Sequence, residues 1–472
     1  MFSTIYLVSE WVIRLVMIPV VTRRRAPTSA LSWLAVIFAI PWPGLALYGV
    51  FGAHRLGRAR AQRRRAVVQS MPDLDRLAAA AGHVERPELT DAQQPLINIA
   101  MNMGAMPILG GNETELLART ENVIDRLVDD IDHARRHVHL LFYIYRDDQT
   151  GRRLADALCR AAARGVDCRV LVDAVGSWRV VGSLPQRFDD AGVRFALALP
   201  VNPIRRKFAR IDLRNHRKLA VIDGRVGYAG SQNIVDPDYG TKRLAWHDLM
   251  LRFTGPAVLH LQRVFLEDWH TEHGELPAGP DILPNPQRAG EATIQVVPSG
   301  PTYPVESFQH LVIEALNSVR RRLIITTPYF VPDEASLLAL KLAVMRGARV
   351  DLVVPRQIDH PLVAAAMASY YAELLEAGVQ VHVFRDGLLH SKSITVDDAV
   401  ALVGSANFDI RSFHLNFELN LLLFGPRPTG ELRFIQQHYI DQSHPLDLHA
   451  WQNRPAWRAT VENMARLLSP LL

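Results

Sequence analysis

Two stretches of this chain carry histidine, lysine, aspartate and asparagine at matched intervals. The first is His216, Lys218 and Asp223, followed by Gly230-Ser231-Gln232-Asn233. The second starts 174 residues later with His390, Lys392 and Asp397, followed by Gly404-Ser405-Ala406-Asn407. Both read His-x-Lys, four residues, Asp, six residues, Gly-Ser-x-Asn. A single histidine and lysine at this spacing is a common surface pattern; two copies with equal internal spacing point to one site built twice. Lysine supplies fixed positive charge, asparagine a neutral N–H donor, and imidazole a nucleophile or proton carrier, which together suit a phosphate. Two such sets facing each other would surround a phosphodiester. One histidine attacks phosphorus while the other protonates the leaving oxygen, and acid and base then exchange roles. The lysines neutralise the developing oxyanions, so this chemistry calls for no metal and no cofactor. Cys159 and Cys168, the two cysteines, offer neither zinc spacing nor a disulfide framework.

A histidine used in this way needs an acid on its far nitrogen. Asp248 lies 32 residues past His216 and Glu418 lies 28 past His390, each just ahead of an apolar run. These two are the orienting acids expected. Ser231 and Asn233, with Ser405 and Asn407, are assigned to the phosphate. Residues two apart on a strand project from one face, so His and Lys of each motif should share a face. Leu219-Ala220-Val221-Ile222 runs into Asp223-Gly224, a strong turn signal, and Ser393-Ile394-Thr395-Val396 runs into Asp397-Asp398. Each motif is therefore expected to be a β-hairpin, its first strand presenting His and Lys and its second ending at Gly-Ser-x-Asn. Asp223 and Asp397 are counted with the catalytic motif, although their position in the turns suits them to holding the hairpins.

The surroundings of the motifs repeat as well. A helical pattern through Leu116, Val123, Leu127 and Ile131 precedes an apolar run at 138–145; a helix from Leu154 to Arg164 precedes a strand from Val166 to Val172. In the second half, Leu311 to Val319 precedes 323–327, and Leu337 to Met345 precedes 350–354. Gly165 answers to Gly347, and Gly192 to Gly378. Internal duplication with alternating helices and apolar strands predicts two similar α/β sandwich domains, at 112–272 and 291–472. The stretch 273–290, with Pro277, Pro280, Pro284 and Pro286, has the composition of a linker, and 66–111 is a connecting region.

The first 65 residues differ in kind. Residues 30–53 contain no charge, long enough to cross a bilayer, and 2–22 are apolar apart from Glu10 and Arg14. Those two stand four apart and neutralise one another on a helix. Two spans would form a transmembrane helical hairpin. Arg23, Arg24 and Arg25 fall in its loop; Arg55, Arg58, Arg60, Arg63, Arg64 and Arg65 follow it, which places the remainder on the cytoplasmic side of the cell membrane. That arginine cluster and the basic stretch Arg205, Arg206, Lys207, Arg210, Arg214 and Arg217 are expected to meet anionic headgroups. The formal net charge of +5 suits an anionic partner without choosing which. Trp457, Val461, Met464 and Leu468 share a stripe on a C-terminal helix, to be read either as an interfacial helix or as packing against the second domain.

At these residues the chain resembles the phospholipase D superfamily, defined by the doubled His-x-Lys-x4-Asp motif, and within it the membrane-anchored bacterial cardiolipin synthases. The flanks extend the likeness: Pro41-Trp42-Pro43-Gly44, Tyr143 to Asp148, Ile211 to Lys218, Val235-Asp236-Pro237, Arg411-Ser412-Phe413 and Asn416-Phe417-Glu418. The resemblance implies that two phosphatidylglycerol molecules give cardiolipin and glycerol at the bacterial inner membrane. It implies His216 as nucleophile and a phosphatidyl-histidine intermediate, with His390 as acid and then base. The rival within enzymes is hydrolysis, by a membrane-attached phospholipase D or nuclease; the two apolar spans and the lack of interleaved basic and aromatic residues argue against nucleic acid. A non-catalytic lipid-binding scaffold would show decay of one motif, and both are intact.

Overall fold

A computed structural model describes residues 2–23, 27–52, 58–102, 106–178, 184–201, 213–239, 244–277, 279, 281–303, 307–467 and 469. Arg24, Arg25, Arg55, Arg205, Arg206, Lys207, Arg210, Pro280 and Leu468 lie outside the described residues. The chain divides into two compact units, Met1–Arg58 with Pro200–Leu213, and Ala59–Leu199 with Arg214–Leu472.

The larger unit is built on strands that recur in the same order in its two halves. The first half has β1 (Leu109–Leu117), β2 (His137–Phe142), β3 (Asp167–Asp173), β4 (Arg194–Ala198), β5 (Leu219–Ile222), β6 (Val226–Gly230) and β7 (Met250–Thr254). The second has β8 (Ala292–Ser299), β9 (Arg322–Thr326), β10 (Arg349–Pro355), β11 (Gln380–Phe384), β12 (Ser393–Val396), β13 (Val400–Gly404), β14 (Glu418–Phe424) and an added edge strand, β15 (Ser443–Pro445). Across the sheet the order is β15-β11-β10-β9-β12-β13-β14-β8-β1-β7-β6-β5-β2-β3-β4. Each first-half strand thus has its counterpart seven numbers on, and the two halves join where β1 and β8 pair antiparallel at Leu109↔Ile294. The outer strands β2, β3 and β4 run parallel, as do β9, β10 and β11; the inner ones are antiparallel. This is the expected pair of similar α/β sandwiches.

Parallel strands are covered on both faces, which is why β2, β9 and β10 are buried along nearly their whole length. Their crossovers are helices with matched ends. Asp148 caps Gln149–Ala163 by accepting from the Gly151 N–H, and Asp333 caps Glu334–Met345 by accepting from that of Ser336. Gly165 and Gly347 follow those helices at φ of 86° and 91°, a left-handed turn that a Cβ would strain. The pattern through Leu116 misled in one respect: Leu116 belongs to β1, and the helix runs Thr120–Asp132.

Three cores result. One lies under the outer helices of each half. The third is shared: Leu261, Phe265 and Trp269 of helix Val258–His273 and Leu432 of helix Pro426–Asp441 pack with Leu219, Leu251 and Phe253 of one half and Leu419, Leu421 and Leu423 of the other. Each such fully buried side chain stabilises the fold by roughly 1.5–3 kcal/mol, so this layer is what fixes one half against the other.

Arg60, Arg63 and Arg64 sit on helix Arg58–Ser70; Arg60 and Arg64 turn into protein, while Arg63 stays exposed. Arg60 pairs with Glu272 at 3.0 Å, Arg64 with Glu267 at 2.6 Å, and Arg63 donates to the Thr271 and Glu272 carbonyls. The expectation of headgroup contact is corrected for Arg60 and Arg64, because carboxylates of helix Val258–His273 already hold them.

In the smaller unit, helix Phe2–Thr22 includes Thr4–Thr22, the one helix among the described residues long and apolar enough to cross a membrane. The second apolar segment forms helix Pro27–Ala39, then helix Pro41–Leu47 and a π-turn at Tyr48–Gly52. The break falls at Pro41, where the missing N–H ends the ladder. Ile13, Met17 and Val21 pack against Ala30 and Ile37. Glu10 and Arg14 pair at 3.5 Å, as their spacing suggested.

Candidate active site

Each motif forms the expected hairpin, β5–β6 and β12–β13, with Gly230 and Gly404 ending the second strands. A Cβ on Gly230 would stand 2.3 Å from the Leu249 carbonyl oxygen, and one on Gly404 2.1 Å from Asn420 Oδ1, so only glycine lets these strand ends pass so close. The His-x-Lys residues lie just before β5 and β12 rather than within them. There the backbone is tied to the opposite half. The His216 N–H donates to the Phe417 carbonyl at 2.9 Å, and the His390 N–H to that of His247 at 2.9 Å. Leu388 and Leu389 also pair in parallel with Trp246 and His247.

That exchange sets the acid partners. His216 Nδ1 is 3.0 Å from both carboxylate oxygens of Glu418, and His390 Nδ1 is 2.6 Å from Asp248 Oδ1. The offsets along the chain suggested Asp248 behind His216 and Glu418 behind His390; the structure crosses them, each half supplying the acid for the other half's histidine. With Nδ1–H donated to a carboxylate, Nε2 keeps its lone pair, the tautomer needed for attack or proton acceptance.

Lys218 and Lys392 are fully buried, and each ammonium donates to the carbonyl of its own motif's histidine at 2.6 Å. Ser231 Oγ donates to Asp248 at 2.6 Å and accepts from the Leu249 N–H; Ser405 Oγ donates to Glu418 and accepts from the Leu419 N–H. Each serine's one proton therefore goes to an acid, where a phosphate had been expected. Asn233 Oδ1 accepts the Ile144 N–H at 3.1 Å, whereas Asn407 Oδ1 has no hydrogen-bond partner among the described residues. Asp223 and Asp397 sit in the turns at φ of 53° and 50°, about 16 Å along the strand from their lysines at ~3.3 Å per residue. Asp223 accepts the N–H groups of Arg135, Arg136 and His137, and Asp397 those of Arg320, Arg321 and Arg322. They anchor the hairpins to β2 and β9 and stand apart from the histidines.

The charges of the two sets reach each other. Burial, opposed by Glu418 and reinforced by Lys218, pushes His216 down to about 4, with a smaller contribution from Lys392. Burial, reinforced by Lys392 and opposed by Asp248, brings His390 to about 4, with Lys218 adding to the effect. Burial lowers Lys392 to about 7 and Lys218 well below its ordinary value, both against the pull of the two acids. Burial would raise Asp248 and Glu418; their histidines and lysines outweigh it, and both stay below the usual carboxylate range. At neutral pH the site thus holds two carboxylates beside two imidazoles depressed toward their neutral form.

Several participants carried no signal of their own in the sequence. The Tyr143 ring meets His216 edge-on at 4.8 Å, and the Trp246 ring meets His390 at 4.7 Å, walling the imidazoles with apolar surface. Arg217, expected among headgroup-facing bases, is wholly buried: it pairs with Asp268 at 2.6 Å and donates to the Glu418 and Ser299 carbonyls in the other half. Asp268 also accepts from Asn215, next to His216, and lies 3.7 Å from Arg64. Arg214 likewise turns inward, toward Asp173 at 3.3 Å. The clue to Arg217 was its place between His216 and Lys218, whose alternation sends it to the opposite face.

The sequence family described as "Cardiolipin synthase, PLD-like domain" matches residues 127–269 and 312–438, one segment in each half. The chain is 37% identical to "Cardiolipin synthase A" of Serratia proteamaculans, covering all of both chains. It is 37% identical to the protein of the same name from Proteus mirabilis, over 96% of this chain and 95% of that one. Among solved structures, the phosphatidylserine synthase of Haemophilus influenzae aligns over 80% of this chain and 100% of its own, with a TM-score of 0.62 at 15% identity, a likeness of fold.

Proposed function

This chain belongs to the cardiolipin synthase family with phospholipase D-like domains, and from that premise we propose that it transfers a phosphatidyl group between two phosphatidylglycerol molecules, giving cardiolipin and glycerol. One observation carries this reading: two histidine–lysine sets, each backed by an acid from the other half, share one electrostatic environment.

The steps follow from the tautomers. His216 Nε2 attacks phosphorus in line, the bond to the terminal glycerol oxygen breaks, and protonated His390 gives that oxygen its proton. Lys218 and Lys392 hold the equatorial oxygens as charge builds on them, and the Asn407 amide donates there. The hydroxyl of a second phosphatidylglycerol then passes its proton to His390 and attacks, and the phosphorus–nitrogen bond to His216 breaks. His390 ends protonated as it began. It acquires that proton when substrate binds, because an anionic diester between the lysines favours one imidazolium at the site; the single proton lodges on His390 and leaves His216 neutral for attack. His216 takes the nucleophile's part on the family resemblance, and its greater exposure (12% of the side chain against 5% for His390) supports it. Two in-line displacements retain configuration at phosphorus.

The anchor, residues 1–65, is read as two spans that keep both catalytic domains on the cytoplasmic face of the bacterial inner membrane. Helix Thr4–Thr22 and the arginine excess after the second segment support this. The domains proposed are 112–272 and 291–472, joined by 273–290 and preceded by the connecting region 66–111. The partners are phosphatidylglycerol and other anionic membrane lipids, not nucleic acid. The test is purified protein in mixed micelles with phosphatidylglycerol labelled in its terminal glycerol. Cardiolipin with free labelled glycerol is expected; phosphatidic acid as the main product would make the enzyme a hydrolase, and an inverted chiral phosphorothioate product would remove the covalent step.

A further inference from the structure

We propose that the outer face of helix Ala456–Arg466 docks on the headgroup–acyl boundary of an anionic bilayer. Trp457, Val461 and Met464, with Leu467 at the helix end, are 64%, 51%, 64% and 80% exposed. At 100° per residue the four fall within about 120° of arc, a continuous apolar stripe. Soluble faces seldom leave an indole, a thioether and two aliphatic side chains contiguous and uncovered.

Charge and position select the occupant. Glu462, the helix's one acid, is engaged by Arg454, and Arg466 lies over the Tyr370 ring at 4.3 Å. Arg458 is exposed with its guanidinium 5.5 Å from the Trp457 ring centroid, so the unneutralised charge beside the stripe is positive. An indole next to a cation above an aliphatic strip is the composition that settles at an anionic lipid surface. A partner protein of matching shape would have no need of that arginine.

Helix Ala456–Arg466 is held on helix Pro361–Glu376: Arg466 approaches Glu373 at 3.5 Å, Ser469 bonds Tyr370, and Gln452, just ahead of the helix, bonds Glu376. Ala465 turns into the core of the second half, which leaves the stripe on the outer side. This deepens the reading of the site as one that acts on lipids, yet its test reads binding and not product.

Full-length protein carrying Met464→Cys on a Cys159→Ser, Cys168→Ala background is labelled with an environment-sensitive nitrobenzoxadiazole and reconstituted in phosphatidylglycerol vesicles. The expected emission is blue-shifted, quenched by nitroxide borne on the acyl chains and shielded from aqueous iodide; the same probe at Arg153, on the first half, should behave oppositely. Iodide-accessible probe at 464, or self-quenching between labels that marks a second copy on the stripe, would overturn the proposal. In a second arm, Val461→Asp with Met464→Asp should lower turnover of vesicle-borne phosphatidylglycerol by about tenfold and that of a monomeric short-chain analogue by less than about twofold. Equal loss on both substrates would overturn it too. If no cardiolipin forms at all, the reading of function fails while the quenching result still decides the docking.

Discussion

The two halves of the catalytic unit match strand for strand, and their first-motif and second-motif histidines are held in the same manner, but the side chain between histidine and lysine differs. In the first half it is Arg217, whose guanidinium ties Asp268 to carbonyls of the second half. In the second half it is Ser391, small and buried. The acids differ as well: His216 is gripped by both oxygens of Glu418, and His390 by one oxygen of Asp248. The duplicated fold fixes where a histidine, a lysine and an acid must stand. What lies beneath was free to diverge, and the first half became the one clamped across the joint.

The comparison breaks most sharply at the histidines. If the two act as one unit, His216→Ala and His390→Ala should each cost about 10⁴-fold in turnover, and the double variant should be no slower than either. With a labelled phosphatidyl ester of p-nitrophenol, whose leaving group needs no proton, alkali-quenched samples should show covalently bound phosphatidyl group in His390→Asn and none in His216→Asn; the reverse would exchange their roles. The clamp comes next. Asp268→Ala leaves the Arg217 charge buried and unpaired and should destabilise by about 3–5 kcal/mol, whereas Ser391→Ala should change stability by less than about 1 kcal/mol; thermal unfolding in detergent compares them. Equal losses would mean that Arg217 is no clamp.

The crossed pairing is sharpened by Glu418→Gln. It should lower turnover by about 10²-fold and, by removing a charge that supports the imidazolium, make His216 titrate lower still. His390 should keep its value near 4, as read by nitrogen-15 shifts of the ring. A shift at His390 instead would undo the crossing. The smallest effect is on stability against pH. Both imidazoles are depressed from 6.5 to about 4 in the folded chain, so between those values the unfolded chain binds more protons. Their contribution is complete above about pH 6.5 and is lost on acidification through pH 4. Replacing both by Asn should flatten that part of the melting-temperature profile.

Much of this was legible before any coordinates. His216, Lys218, His390 and Lys392 were marked by repetition, the hairpins by Asp-Gly and Asp-Asp after four strand residues, and Asp248 and Glu418 by their need to exist. The C-terminal stripe was readable from helical spacing, with Leu467 described beside Trp457, Val461 and Met464. The crossing was not readable, because it arises from contacts 142 and 202 residues apart in the chain, where offsets along the sequence carry no information. Charge also misled. Arg60, Arg64 and Arg217 looked like solvent or headgroup residues by type, and only the carboxylates of helix Val258–His273, distant in sequence, account for their burial. Ser231 and Ser405 were assigned to substrate because a hydroxyl beside an asparagine suits phosphate. Their bonds to the acids required knowing which strand end lies next to which.

The exchange of acids has a consequence for how such a chain can change over time. A gene copy encoding one half alone would yield an imidazole lacking its carboxylate, and a carboxylate lacking its imidazole. From the moment of fusion, selection on residue 418 is selection on the chemistry of residue 216, and the same holds for 248 and 390. The halves are thus free to drift in their outer helices, loops and edges, but tied to inheritance as a single piece.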